Sequence, residues 1–185
     1  MDLPAQYIIN IKKEFTRYKT LGEKTFAQLA EADFHFRYAE EDNSIAVIVK
    51  HMAGNMRSRW TNFLTEDGEK SWRNRETEFE ASLRSKADML EAWESGWECL
   101  FNALDGLTPE NLSDTVEIRK EPHTVMEALN RQLSHYAYHT GQIVFLAKSI
   151  KGKEWQSPTI PRGQSEDYNK QMFKKAVQAK KGPKI

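Results

Sequence analysis

Apolar residues step by threes and fours along four long segments of the chain, the spacing that lines one face of a helix. In the first segment, Leu3 to Ala32, the stripe is Ile8, Ile11, Phe15, Tyr18, Gly22, Thr25 and Leu29. Pro4 suits the first turn of that helix, where its missing N–H costs nothing. The small members Gly22 and Thr25 predict close approach of another helix. The second helix starts at Asn43 or Ser44, either of which can cap it, and runs through "IAVIVKHMAGNMRSRW" to about Leu64. The third extends from Phe79 or Leu83 to Leu104, with Leu90, Trp93, Trp97, Leu100 and Leu104 on its stripe and Gly106 as its stop. The fourth opens on a capping box, Thr124 with Glu127 three residues on, and continues to about Ile150 before Gly152 ends it.

Between these segments the periodicity lapses. "DFHFRYAEEDN" and "TEDGEKSWRNRETEFE" read as loops, the second turning at Asp67-Gly68, mixing its charges with Trp72 and expected to dock in part, with an exposed Trp72 as a candidate dimer contact. "LTPENLSDTVEIRKEPH" reads as a connector with one helical turn and a short extended piece, and "EWQSPTIPRGQ" as loop, followed by a short helix over about Ser165 to Ala179. No convincing alternating strand and no repeat interrupts this pattern. It predicts an all-α fold, a four-helix bundle over residues 1–150 with a C-terminal extension over 151–185 that packs on the bundle or trails from it.

Composition narrows the function. The chain of 185 residues is long enough to build a core without staples. Its single cysteine, Cys99, excludes an internal disulfide and sits on an aromatic stripe, where an inert packed thiol is expected. "MDLPAQYIIN" lacks the basic and apolar regions of a secretory signal, and the longest apolar run, Ile45 to Val49, is far too short for a bilayer. A cytoplasmic protein without membrane contact is expected. The 27 basic and 27 acidic residues balance, which argues against a general nucleic-acid binder. The balance is uneven along the chain: residues 151–185 carry nine basic against three acidic groups, a net of +6, and the remainder carries −6. The basic extension lacks the interleaved aromatics that stack bases, so no nucleic acid is expected there either.

Three of the five histidines change the picture. His35 and His123 fall in loops and suggest no special role. His135 and His139, in "SHYAYHTGQ", lie four residues apart on one helical face, so both imidazoles can point at one cation. The face continues through Ala128 and Gln132 before the pair and Gln142 and Leu146 after it. His51 follows the most apolar run of the chain and shares its face with Val47, Ile48, Gly54, Asn55 and Ser58. Gly54 costs a helix interior about 1 kcal/mol relative to alanine, so something must need the space beside it. Three inward histidines from two helices make three corners of a divalent-metal site and leave a fourth for water or substrate, the pattern of a catalytic rather than a structural centre. Zinc, nickel and iron all suit such ligands. Asn55 and Gln142 are placed to hydrogen-bond a ligand or substrate, and Arg131, one turn before His135, to meet a substrate carboxylate. Tyr136 and Tyr138 flank the ligands and are expected to pack between helices.

The stretches "NSIAVIVKHMAGNMRSRW" and "RQLSHYAYHTGQI" resemble the second- and fourth-helix motifs of the DinB/YfiT-like metalloenzyme superfamily, and the chain as a whole looks closest to an uncharacterised bacterial branch of it. "DGEKSWRNRETEFE" looks typical of that branch. The resemblance implies a four-helix bundle in up-down-down-up order, often a homodimer, with a divalent metal on His51, His135 and His139. Because relatives include thiol-S-transferases, it also implies a low-molecular-weight thiol and a small electrophile as substrates. The metal would deprotonate a bound thiol. Alternatively it would acidify a bound water and support hydrolysis of a small substrate. A non-catalytic metal-binding or stress-associated module is the third expectation.

Overall fold

The structure is a computed structural model that describes residues 2–180. Among these residues it is mostly helical, with five α-helices and one two-stranded hairpin: α1 (Leu3–Phe26), α2 (Ile45–Trp60), α3 (Lys86–Asp105), β1 (Thr115–Ile118), β2 (Glu121–Thr124), α4 (Val125–Lys151) and α5 (Ser165–Lys180). The starts follow local chemistry. Asp2, Ser44, Ser85 and Thr124 each accept a backbone N–H of the first turn through the side chain, and Thr124 and Ser85 do so within capping boxes closed by Glu127 and Asp88. Three helices are shorter than the periodicity predicts. α1 stops at Phe26, and the chain reaches His35 through a separate 3-10 turn, Glu31–His35. α2 stops at Trp60, because Thr61 is extended and Asn62 takes a left-handed φ of 49°. α3 begins at Lys86 rather than at Phe79 or Leu83, where the Ser85 cap sets the start.

α1 packs chiefly on α4, and α2 on α3 and α4. The apolar stripes meet in one core, whose largest fully buried side chains include Trp60, Trp93, Trp97, Tyr136 and Phe15. Gly22 is a point of close approach, as its place in the stripe predicts: a Cβ there would lie 2.6 Å from Cη2 of Trp93.

The connector before α4 holds a 3-10 turn, Pro109–Ser113, and more extended structure than expected, an antiparallel hairpin pairing Thr115 with Thr124 and Ile118 with Glu121. Arg119 and Lys120 form its two-residue turn with φ of 56° and 64°, a conformation that usually selects asparagine or glycine. Asp67 supplies what the local sequence lacks. Its carboxylate accepts the backbone N–H groups of Arg119 (2.9 Å), Lys120 (2.8 Å) and Glu69 (2.7 Å). Burial opposes ionisation there, but these donors outweigh it and hold the carboxyl down to about 2.

Beyond α4 the extension divides. Trp155 packs against the core, and Gln156 exchanges two hydrogen bonds with Gln28 (2.9 and 3.0 Å). The side chains of 165–178 on α5 are exposed. The last basic residues of the extension, Lys181 and Lys184, lie outside the described residues. Among the described residues no helix is long and apolar enough to cross a membrane.

Candidate metal centre

His51 on α2 and His135 and His139 on α4 converge. Nε2 of His135 lies 3.4 Å from Nε2 of His51 and 3.0 Å from Nε2 of His139, and the three rings meet edge to face. Two imidazoles one turn apart on one helix and a third from a facing helix thus bring three donor atoms within 4.8 Å of one another, close enough to hold a metal ion. Tetrahedral zinc with imidazole nitrogens at about 2.0–2.1 Å places those nitrogens about 3.3 Å apart, which the observed spacing straddles.

The outward nitrogens decide what the inward ones present. Nδ1 of His51 faces Glu78 Oε2 at 2.9 Å, and Nδ1 of His139 faces Gln142 Oε1 at 2.8 Å. A carboxylate and an amide oxygen only accept, so both rings carry their proton on Nδ1 and turn a lone pair inward. His135 can place at most one proton between them. An inward set of nitrogen acceptors with fewer protons than lone pairs fits a cation. Burial, joined by the neighbouring imidazoles, pushes His135 down to about 3, and burial lowers His139 as well. Those rings therefore stay neutral, as ligands must, at physiological pH.

Glu78 was not among the residues singled out from the sequence. It lies on a 3-10 turn, Glu76–Phe79, in the long loop after α2, 27 positions from His51. Burial raises its pKa, but hydrogen bonds from His51 and Arg73 outweigh that and the carboxyl sits below its ordinary value. Arg73 grips it with Nε to Oε1 (2.8 Å) and Nη2 to Oε2 (2.9 Å), and is held in turn by Glu69 (3.2 Å). Lys50 on α2 ties the same loop through the carbonyls of Thr77 and Glu80, and Ser58 pins it by accepting the Lys70 N–H and donating to the Gly68 carbonyl. The space at Gly54 belongs to Glu78: a Cβ there would lie 2.7 Å from the carboxyl carbon. Phe79 stacks on the His51 ring with centroids 4.9 Å apart. The loop docks in part, as expected, through Lys70, Arg73 and Glu78, while Trp72 is 59% exposed.

The remaining predicted residues surround the cluster in different ways. Asn55 is buried one turn from His51 and accepts from Gln132 Nε2 and from the Tyr136 hydroxyl, both at 3.0 Å. Trp60 Nε1 donates to the same hydroxyl at 3.0 Å, and burial raises the Tyr136 phenol well above its usual range. Gln142 bridges His139 and the Tyr138 hydroxyl, to which it donates at 3.0 Å. Tyr138 does not pack between helices, as its place beside the ligands predicts, but is exposed. Arg131 is half-exposed beside His123 and Glu121. His123 falls in β2 and His35 ends a 3-10 turn, both away from the cluster. Cys99 is partly buried with Sγ 3.7 Å from the Thr61 hydroxyl.

A cavity of about 190 Å³ opens beside His51 and His135, lined also by Asn55 and Gln132. Five arginines complete its wall: Arg59, Arg73, Arg75, Arg119 and Arg131.

Fold and site together define a helical protein with a partly buried three-histidine cluster close enough to hold a metal. Residues 2–164 match the family described as "Protein of unknown function (DUF1572)", and the chain belongs to that family. The match ends where α5 begins. No curated protein and no solved structure matches the chain.

Proposed function

We propose that the chain is a divalent-metal-dependent enzyme in which His51, His135 and His139 hold one zinc, nickel or iron ion and leave a position for substrate. The reaction is thiol-S-transferase-like, joining a low-molecular-weight thiol to a small electrophile. The observation that carries this reading is the convergence of three Nε2 atoms with two of the outward nitrogens committed to Glu78 and Gln142. Bound there, the ion supplies Lewis acidity that lowers the pKa of a thiol or water ligand. Glu78 fixes the His51 tautomer and raises its basicity, Arg73 holds Glu78 in place, and Phe79 shields one face of His51 from water. The cavity beside the cluster gives a small substrate access to His51 and His135.

Metal-dependent hydrolysis ranks second because it asks for a proton-accepting group near the attacked bond. Among the described residues the cavity wall carries no carboxylate, and both oxygens of Glu78 are engaged by His51 and Arg73. The same reading makes the four long helices an up-down-down-up bundle of the DinB/YfiT-like superfamily, working in the cytoplasm as a homodimer.

The test is to strip the purified protein, reload it with zinc, nickel or iron, and follow thiol consumption with a model electrophile. Turnover should require the metal and disappear in His51→Ala and His139→Ala. Full metal loading without thiol consumption, across several thiols, would sink the transferase and leave the hydrolase and the non-catalytic metal-binding module as the remaining readings.

A further inference from the structure

The cavity beside the histidines is built for negative charge. Four of its five arginines have carboxylate partners: Arg73 with Glu78 and Glu69, Arg119 with Glu69, Arg131 with Glu121 and Arg75 with Glu76. Arg59 has none among the described residues. It is 4% exposed, yet among the described residues its Nε and Nη1 have no hydrogen-bond partner. A buried guanidinium whose N–H groups find no acceptor is costly, because its hydration is lost and only the longer-range attraction of the Glu69 carboxylate offsets that loss. Burial lowers its pKa, but arginine keeps its proton in proteins. The position is a consequence of α2 itself: His51, Asn55 and Arg59 follow one another at intervals of four along one face. Gly68 lies against the guanidinium, since a Cβ there would lie 3.2 Å from Cζ of Arg59, so the loop after α2 holds the side chain in place.

We infer that Arg59, with Arg119 and Arg131 nearer the rim, forms an oxyanion subsite next to the three-histidine cluster, and that the substrate is a small molecule carrying a carboxylate or phosphate group. The permanently charged side chains of the wall are all arginines, and a planar guanidinium matches either oxyanion with paired N–H groups. The cavity of about 190 Å³ limits the occupant to a compact molecule that reaches from Arg59 to the inward nitrogens of His51 and His135. Gln132 lines the same cavity but spends its amide N–H groups on Asn55 Oδ1 and the Tyr136 hydroxyl, whereas Asn55 accepts through Oδ1 and keeps its Nδ2 amide as a neutral donor beside the arginines. The inference deepens the proposed function by naming its substrate class, and it rests on that reading only for what happens at the histidine end.

The two can fail separately. Metal-free wild-type protein is titrated with inorganic phosphate and, in parallel, with acetate, by calorimetry and by the shift in thermal midpoint at constant ionic strength. Metal content of each variant is measured alongside. The wild type should bind at least one of the two anions without metal. Arg59→Met, which keeps the bulk of the side chain, should weaken that binding by about tenfold or more, as expected for loss of a charged hydrogen-bond donor. His139→Ala, whose ring does not line the cavity, should lose metal and keep anion affinity. Should Arg59→Met fail to fold, Arg119→Ala/Arg131→Ala tests the rim, where the expected loss is several-fold. Preference for phosphate identifies a phosphorylated substrate and preference for acetate a carboxylate-bearing one. No binding of either anion to the metal-free protein, or equal binding by wild type and all arginine variants, overturns the subsite, whatever the metal analysis returns.

Discussion

One side of α2 packs on α3 through Ala53 and Met56, whose Cα and Sδ would each lie 3.0 Å from a Cβ on Gly96; another side presents His51, Asn55 and Arg59 to α4. Both sides are buried, as are 14 of the helix's 16 residues. The first is ordinary core. Each large apolar side chain there contributes about 1.5–3 kcal/mol of burial, and the Nε1 atoms of Trp93 and Trp97 are left without partners, a modest cost for neutral groups. The second side is expensive by construction. Its polar atoms pair across to Gln132 and Tyr136, but among the described residues Nδ1 of His135 and two nitrogens of Arg59, both residues of the cavity wall, find no partner. A fold that matches its buried polar groups elsewhere on this face and leaves guanidinium N–H groups without acceptors at one cavity gives up stability there, as the proposed anion subsite would require.

The widest separation between the two sides comes from removing one residue from each. His135→Ala should cut bound metal from about one equivalent to trace while leaving a folded helical protein, as elemental analysis and circular dichroism will read. Trp97→Ala should do the reverse, costing about 3–5 kcal/mol in denaturant unfolding with metal stoichiometry retained. If the tryptophan variant loses metal at full foldedness, or the histidine variant unfolds, the two sides are not separable functions of one helix.

The two sides were also unequally legible. The stripes of α1 and α3 name the core directly, since Ile8, Ile11, Phe15, Trp93, Trp97, Leu100 and Leu104 are all buried. The histidine positions were readable for the same reason, because helical spacing alone puts His135 over His139 and turns His51 inward. Glu78 and Arg59 were not. Glu78 reaches His51 from a loop without periodicity, and the only local trace of it is the cost of Gly54, which announces a missing Cβ without saying what fills the gap. Arg59 reads as one more polar residue near a helix end, and its burial depends on the fold of 66–70 against it. The hairpin is a third case. "EIRKEPH" lacks the residues a two-residue turn selects, and its stabiliser, Asp67, is 52 positions away from Arg119.

Smaller perturbations test how the polar side is held. Glu78→Gln keeps the shape but weakens the acceptor for His51 Nδ1, and should lower metal affinity by about 10- to 100-fold. Gly54→Ala should reproduce the loss by pushing the carboxylate away, although alanine is the better helix former by about 1 kcal/mol. Chelator competition measures both, and a Gly54→Ala variant that binds metal like wild type would detach Glu78 from the site. Acid should act on the same side. His135 sits at about 3 in the folded, metal-free protein against about 6.5 for an unfolded chain, so the unfolded state takes up its proton first as pH falls. Stability present above about 6.5 is then lost progressively towards 3, and His139, shifted in the same direction, adds to the slope. Metal-free wild type should show this loss in urea midpoints, and His135→Ala should show less of it. A wild-type profile with no slope over that range would place His135 in a wetter environment than the fold describes.

The gentlest test lies at Gln142. It accepts from His139 Nδ1 and donates to Tyr138, but its side chain is only partly buried and Tyr138 is exposed, so water can replace it as the acceptor. Gln142→Leu should therefore cost about tenfold in metal affinity, the low end for an outer partner of a ligating histidine. Gln142→Glu, which keeps an acceptor and adds charge, should match or slightly exceed wild type. The ordering matters more than either value. Glu78 is buried and clamped by Arg73, whereas Gln142 stands at the solvent edge, so Glu78→Gln must weaken the metal more than Gln142→Leu does. If the order is reversed, the centre is anchored from α4 rather than from α2, and the loop that carries Glu78 serves some purpose other than holding His51.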